Sequence, residues 1–291
     1  SRILITGGAG FVGYHLAKQL SSQKHELVLV DNFLWRVNGR TDPDLESLLS
    51  RPNVSMIQAD LTDSGSCGTI GSGYDYVYHL AGINGFSKFV GMPHEVLRVG
   101  ISATLNVLEW FRSKNNKPGA KILFASTNEV FVGAQDTFGA LPVPTPEQVP
   151  LVIADPYNPR WSYAGSKIIG ELFFIHYADA YNLRMVITRL HNLYGPRAGY
   201  ESMTPKFIKR IQDHTEPFPL FGPDDQRASC YVGDAVEGMC KVIESSVTDG
   251  QIYHVGDYRE TTIKSILEIM FGIMRWHPAE FDIKKATSGN I

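Results

Sequence analysis

Short apolar runs alternate with amphipathic stretches along most of the chain. Residues 2–6 (RILIT), 25–31 (HELVLVD), 54–59, 74–80, 121–126 and 185–189 have the length and near-continuous hydrophobicity of strands buried on both faces. Between them, residues 95–113, 162–181 and 204–213 repeat apolar positions at helical spacing, as do Leu16, Ala17 and Leu20. This alternation predicts a doubly wound parallel α/β sheet with helices on both faces. After about residue 189 the pattern loosens, and GPRAGYES, EPFPLFGPDDQRAS and GDYRET interrupt shorter elements. Residues 192–229 and 257–291 are therefore expected to form a smaller C-terminal lobe that binds substrate, and residues 1–191 with 230–256 the sheet domain, with a cleft between them. Residues 134–159, rich in proline after a strand end, read as a loop over a site.

One turn stands out. ITGGAGFVGYHLAKQL carries four glycines within residues 7–13, between the first strand and the first helix. Glycine in ordered structure costs roughly 0.5–1 kcal/mol against alanine, so the cluster needs a reason. A strand, a glycine turn and a helix aim backbone N–H groups and the positive end of the helix dipole at a pyrophosphate. Gly7, Gly10 and Gly13 would allow the turn, the close approach and the helix packing, and Gly8 with Gly10 and Gly13 also fits GxGxxG. Asp31 ends the second strand 18 residues after Gly13. A carboxylate there accepts both hydroxyls of an adenosine ribose and repels the extra phosphate of NADP, so NAD is expected, with a strand-end cap as the competing role.

Composition narrows the class. The 291 residues carry a net charge of −3, which offers no argument for nucleic acid or an anionic membrane. No apolar run reaches the length of a bilayer span, and no signal peptide is recognisable. Cys67, Cys230 and Cys240 have no metal-ligand spacing and are odd in number, which suggests a reduced, cytoplasmic setting. No metal is expected, since the nine histidines include no close pair at ligand spacing. His79 and His191, next to strand ends, read as packing residues. The start at Ser1 inside the first strand and the stop at Ile291 without a cap suggest trimming at both ends.

Two segments could carry chemistry, ILFASTNEVFVG and NPRWSYAGSKIIGELFF. In the second, Tyr163 and Lys167 stand at i and i+4, on one face of a helix. A nearby ammonium stabilises a phenolate and draws the tyrosine pKa from about 10 toward neutrality, which suits a base that removes a hydroxyl proton as hydride leaves the same carbon. The competing reading is a packed tyrosine and a solvated lysine. Ser126 and Thr127, at a strand's carboxyl end where such sheets hold ligands, favour the chemical one.

With these motifs in order, the chain resembles the extended short-chain dehydrogenases, specifically the NAD-dependent nucleotide-sugar epimerase/dehydratase group. TGGAGFVG, DN at Asp31 and Asn32, AD at Ala59 and Asp60, HLAG, STNEVF, YAGSK, HNLYGPR and QRASCYV carry the resemblance over nearly the whole length. It implies a Rossmann fold whose Gly7, Gly10, Phe11 and Val12 hold the pyrophosphate, Asp31 and Asn32 the ribose, Asp60 and Leu61 the adenine, and Leu80, Ala81 and Gly82 the dinucleotide. It further implies that Thr127 binds the reacting hydroxyl, Tyr163 acts as base, and Lys167 bridges the tyrosine and the nicotinamide ribose, so that a sugar carbon, usually C4, is oxidised. Asn192 and Arg227 would meet the diphosphate of a nucleotide-diphosphate sugar, with Asn128, Lys206 and Phe207 also lining its site. For Arg227 a salt bridge to Asp224 or Asp225 competes, and for Phe207 helix packing. Helices 95–113 and 162–181 resemble the pair through which members form homodimers.

Departures from the family pattern bear on the reaction. Asn128 stands where dehydratases carry an aspartic acid that protonates the leaving C6 hydroxyl, which disfavours 4,6-dehydration. Glu129 keeps a glutamate that dehydratases and sugar-acid decarboxylases share, and Arg160–Trp161 resemble the RW of one decarboxylase branch; a Glu129–Arg160 ion pair is the competing role. Gly100 replaces an asparagine, Phe131 a tyrosine, and Thr287 in ATSGNI a second phosphate-binding arginine. The sequence ranks 4-epimerisation slightly ahead of uronate decarboxylation, because epimerisation needs only the matched residues. A net dehydrogenase or reductase that exchanges NAD with solvent and a non-catalytic NAD-sensing protein are the other readings, the second weakened by the joint presence of Thr127, Tyr163 and Lys167.

Overall fold

The computed structural model describes residues 1–34 and 42–284. In chain order the first part comprises β1 (Arg2–Thr6), α1 (Phe11–Ser22), β2 (Glu26–Asp31), α2 (Pro43–Leu49), β3 (Val54–Gln58), α3 (Ser64–Cys67), β4 (Tyr76–His79), α4 (Phe86–Gly91), α5 (Pro93–Ser113), β5 (Lys121–Thr127), α6 (Glu129–Phe138), α7 (Trp161–Tyr181) and β6 (Arg184–Leu190). The chain continues through β7 (Leu193–Tyr194), α8 (Met203–Gln212), β8 (Phe218–Phe221), β9 (Gln226–Ala228), β10 (Cys230–Tyr231), α9 (Val232–Glu244), β11 (Gln251–Val255), β12 (Glu260–Thr262), α10 (Ile263–Met274) and β13 (Phe281–Lys284).

Seven strands form one parallel sheet in the order β11-β6-β5-β4-β1-β2-β3. The order reverses between β1 and β4, which opens a crevice at the carboxyl ends of these strands. The strands are apolar on both faces because both are covered. Ile3, Ile5 and Leu29 pack against Leu16 and Leu20 of α1 and Met239 of α9, while Leu4, Val77 and Ile122 join Val107 of α5 and Phe174 of α7. Away from the sheet, three two-stranded pairs form, and one of them, β8 with β13, joins helices α8 and α10 around a separate apolar cluster that includes Phe207, Phe218, Leu267 and Phe271. Among the described residues no helix is long and apolar enough to cross a membrane, and no group of three or more side chains could hold a metal ion.

The expected loop at 134–159 is shorter than its composition suggests, because α6 runs on to Phe138 and irregular chain begins at Gly139. Val130, Phe131, Gly133 and Ala134 give this helix a buried face, and Glu129 in its first turn suits the dipole. The loop then returns so close that a Cβ on Gly133 would lie 1.8 Å from the Val152 carbonyl oxygen. The prolines downstream disguise a helix whose stability comes from this packing.

A closed ion pair holds β5, β6, α7 and this loop together. Arg189 and Glu171 are each 2% exposed, and the guanidinium donates to the carboxylate through two hydrogen bonds of 2.9 and 2.7 Å. Ser126 Oγ donates to Glu171 at 2.6 Å, and Arg189 also donates to the Glu147 carbonyl at 2.9 Å. Removing one member strands a buried charge, which costs about 3–5 kcal/mol. Glu171→Ala should therefore lower the unfolding free energy by that amount in urea titrations; a loss under about 1 kcal/mol, the scale of an exposed pair, would show that the pair is not water-excluded.

Candidate active site

The glycine turn is too tightly packed to admit side chains. Gly7 has φ +69°, and its Cβ would meet the Ala81 nitrogen at 3.0 Å; a Cβ on Gly13 would lie 2.2 Å from the Gly7 carbonyl oxygen. Gly10, the N-cap of α1, has no side chain to cap the helix, so the first N–H groups of α1 face the crevice uncovered by a side-chain cap. This is a cradle that fits a pyrophosphate. Phe11 and Val12 lean back against the core behind it.

Around the turn, Asp31 accepts hydrogen bonds from the Ala9 N–H at 3.1 Å and the Phe33 N–H at 2.8 Å, so it braces the glycine loop from the end of β2. Asn32 accepts from the Leu34 N–H at 3.1 Å. Asp60 accepts from the Thr62 N–H and hydroxyl at 2.9 and 2.8 Å; burial alone would raise its pKa, but these bonds and one from Asn32 hold it below the usual carboxylate value. Leu61 is buried, and its carbonyl accepts from Asn106 at 2.9 Å. The N–H groups of Leu80 and Ala81 donate to Thr6 Oγ1 at 3.1 and 3.2 Å, leaving Gly82 exposed at the rim. His79, wholly buried between the hydroxyls of Thr6 and Thr104, is pushed down to about 3 by burial and then by Lys167, and serves as a packing residue.

Thr127, Tyr163, Lys167 and Glu129 meet where β5 ends and α7 begins. The Tyr163 ring stacks on Phe89 of α4, with centroids 4.6 Å apart and planes 9° from parallel. Burial and then the Glu129 charge raise the Tyr163 phenol's pKa above the ordinary value, and the Thr127 hydroxyl opposes them. Lys167 is buried and pushed down to about 8 by that burial, with Glu171 opposing. Its Nζ donates to the Ala125 carbonyl at 2.8 Å and lies 5.8 Å from the Tyr163 ring centroid. The expected lowering of the phenol by Lys167 is not what this arrangement gives: the ammonium is turned to the Ala125 carbonyl, and burial sets the direction of the phenol. Glu129 also donates its N–H to Thr127 Oγ1 at 3.3 Å, and its carboxylate lies 3.5 Å from Arg160. Asn128, between them, accepts from the Thr127 hydroxyl at 3.4 Å.

The expected substrate residues are placed less uniformly. Asn192, at φ +32°, donates to the Ala228 carbonyl at 3.2 Å and joins the end of β6 to β9. Arg227 lies 3.6 Å from Asp225 and donates to the Gln226 carbonyl at 2.8 Å, so the competing salt bridge is present. Lys206 is exposed on α8. Phe207 points into the smaller lobe's core, 6.2 Å from the Phe218 ring, and packing accounts for it. Thr287 and the ATSGNI stretch lie outside the described residues.

Two departures have local explanations. A Cβ on Gly100 would meet Ser166 at 2.8 Å, so α5 and α7 approach too closely here for the family's asparagine. Phe131 packs against His191 and His254, whose rings hydrogen-bond at 2.7 Å, and burial and His254 push His191 down to about 4. Sequence reasoning passed over Phe89 and Arg197. Arg197 grips Asp42 at 2.5 and 2.6 Å, donates to the Ala9 carbonyl at 3.4 Å and covers the Tyr14 ring at 4.1 Å, tying the start of the smaller lobe to the glycine loop. Its partners lie 155 and 188 positions away, so only its place after Gly195–Pro196 could have signalled it.

A sequence profile of the NAD dependent epimerase/dehydratase family matches residues 3–256. The chain is 31% identical over 271 residues to a UDP-N-acetyl-alpha-D-glucosaminuronate decarboxylase of Bacillus cytotoxicus, covering 92% of this chain and 78% of that protein. It is 29% identical over 271 residues to UDP-glucuronic acid decarboxylase 6 of Arabidopsis thaliana, covering 92% and 72%. The solved structure of the UDP-glucose 4-epimerase of Thermus thermophilus in complex with NAD matches over 100% of this chain and 88% of that one, with 25% identity and a TM-score of 0.74.

Asp31 yields a cofactor prediction. In fluorescence titrations the protein should bind NAD at least roughly tenfold more tightly than NADP, about 1.4 kcal/mol, and Asp31→Ser should narrow the gap. Tighter binding of NADP would overturn the assignment of Asp31 to the ribose.

Proposed function

The chain belongs to the NAD dependent epimerase/dehydratase family, and from that premise we propose that it oxidises C4 of a nucleotide-linked hexuronate, lets carbon dioxide leave and reduces the resulting ketone. The observation that carries this reading is Glu129, a carboxylate beside Thr127 and close enough to Tyr163 to oppose its ionisation. The decarboxylases of Bacillus cytotoxicus and Arabidopsis thaliana that the chain resembles support the same reading.

Bound NAD supplies the hydride acceptor for the oxidation and the donor for the return. Thr127 hydrogen-bonds the reacting hydroxyl, and Tyr163 takes its proton in the phenolate form, which the positive charge of NAD when bound and the Lys167 ammonium would favour. Once C4 is a ketone it lies β to the C5 carboxylate and accepts the electrons of the breaking C–C bond. The enolate left by loss of carbon dioxide takes a proton from water at C5, and Glu129, at the same place, relays it. Asn128 offers no acid for a leaving C6 hydroxyl, which speaks against 4,6-dehydration.

A second reading, 4-epimerisation, is favoured by one observation: Glu129 already faces Arg160, and Thr127, Tyr163 and Lys167 are enough for hydride removal and return. Mass spectrometry separates the two. After incubation with NAD and a panel of nucleotide sugars including UDP-glucuronate, a product lighter by carbon dioxide is expected, and an isomer of unchanged mass would move the assignment to epimerase. Tyr163→Phe should lower turnover by about 10²- to 10⁴-fold while the protein still binds NAD, and unchanged turnover would remove Tyr163 as base.

Ile101 and Leu105 of α5 are half-buried and Leu172 of α7 is exposed, on two helices that pack together, so apolar side chains of this pair reach solvent. We infer that this surface pairs with a second copy; light scattering at micromolar concentration should return twice the chain mass, and a monomer mass would count against it.

A further inference from the structure

Arg189, Arg197 and Arg160 each face a carboxylate, and Arg160 differs from the other two. Arg189 holds Glu171 with two bonds of 2.9 and 2.7 Å, and Arg197 holds Asp42 with two of 2.5 and 2.6 Å. Arg160 is also largely buried, with 19% of its side chain exposed. Among the described residues its guanidinium has one acceptor, a single Glu129 oxygen at 3.5 Å, the outer limit of a hydrogen bond. A guanidinium carries five N–H donors in a planar fork that matches two oxygens of one anion, so most of this fork is unused.

The group is held in place for a partner. Arg160 immediately precedes α7; its own N–H donates to Asn158 Oδ1 at 3.1 Å, and the guanidinium lies 5.0 Å from the Trp161 ring centroid. Its neighbour Glu129 donates its N–H to Thr127 Oγ1 at 3.3 Å, and its charge opposes ionisation of the Tyr163 phenol. Arg160 therefore borders the place of the substituent next to the carbon that Thr127 and Tyr163 address.

We propose that Arg160 is a specificity-determining residue whose fork receives the carboxylate of an acidic nucleotide sugar. The carboxylate replaces Glu129 as its partner, and the arginine charge offsets the repulsion between that carboxylate and Glu129. This rests on the reading that the substrate is a nucleotide-linked sugar, but not on what happens after oxidation.

The test is calorimetric binding of UDP-glucuronate, UDP-glucose and UDP to the NAD-loaded protein. Wild type should prefer UDP-glucuronate to UDP-glucose, and Arg160→Gln should abolish that preference, weakening the acid sugar by roughly tenfold or more while changing UDP-glucose and UDP by less than about threefold. Equal weakening of all three probes would place Arg160 on the diphosphate or in a structural role and overturn the proposal, as would an unchanged preference. Glu129→Gln, which frees the fork without removing it, should tighten UDP-glucuronate alone by about threefold or more; no change there overturns the proposal even if Arg160→Gln does not fold. Product mass is read separately on the wild type, so an isomer formed by a protein that still prefers the acid would end the decarboxylase reading and leave Arg160 standing.

Discussion

A water-excluded ion pair sets the register on which the active site depends. Glu171 stands on α7 one turn beyond Lys167 and two beyond Tyr163, on the same face. Because it binds Arg189 of β6 and Ser126 of β5, neither a rotation nor a slide of α7 is possible without stranding a buried charge. Ser126 is the neighbour of Thr127, so the same contact fixes the end of β5 against α7, the helix that carries Tyr163. Arg189 also reaches the Glu147 carbonyl, which extends this control to the loop that ends at Arg160.

Burial then shapes the chemistry of the groups so placed. Desolvation disfavours charge, and it acts in opposite directions on the two members of the motif, raising the Tyr163 phenol and lowering the Lys167 ammonium. The neighbours decide what remains. Thr127 favours the phenolate, Glu129 opposes it, and Lys167 spends its hydrogen bond on Ala125. Among the described residues a single Glu129 oxygen faces the Arg160 guanidinium, so the charge that opposes the Tyr163 phenolate is itself held by one long contact.

Substitutions away from the family pattern are compensated in contact. Gly100 accompanies the close passage of α5 past Ser166, and Phe131 accompanies the His191–His254 pair, where a ring is packed on two others and a phenol hydroxyl would need a further partner. Neither change touches the line from Thr127 through Tyr163.

Local spacing determined what could be read from the sequence alone. The strand runs, the glycine turn, Asp31 at the end of β2 and the i, i+4 pair of Tyr163 and Lys167 all follow from geometry within a few residues or one βαβ unit, and they made the fold and the NAD-dependent family legible. The helix from Glu129 to Phe138 was hidden because its stability comes from burial against a loop with helix-breaking composition. The direction of the Lys167 ammonium, the place of Phe207 in the smaller lobe's core, the Arg197–Asp42 grip and the single oxygen facing Arg160 were decided by tertiary structure. Each depends on which distant group occupies the neighbouring space, and hydrogen-bond and charge energies change over distances far smaller than sequence separation can specify.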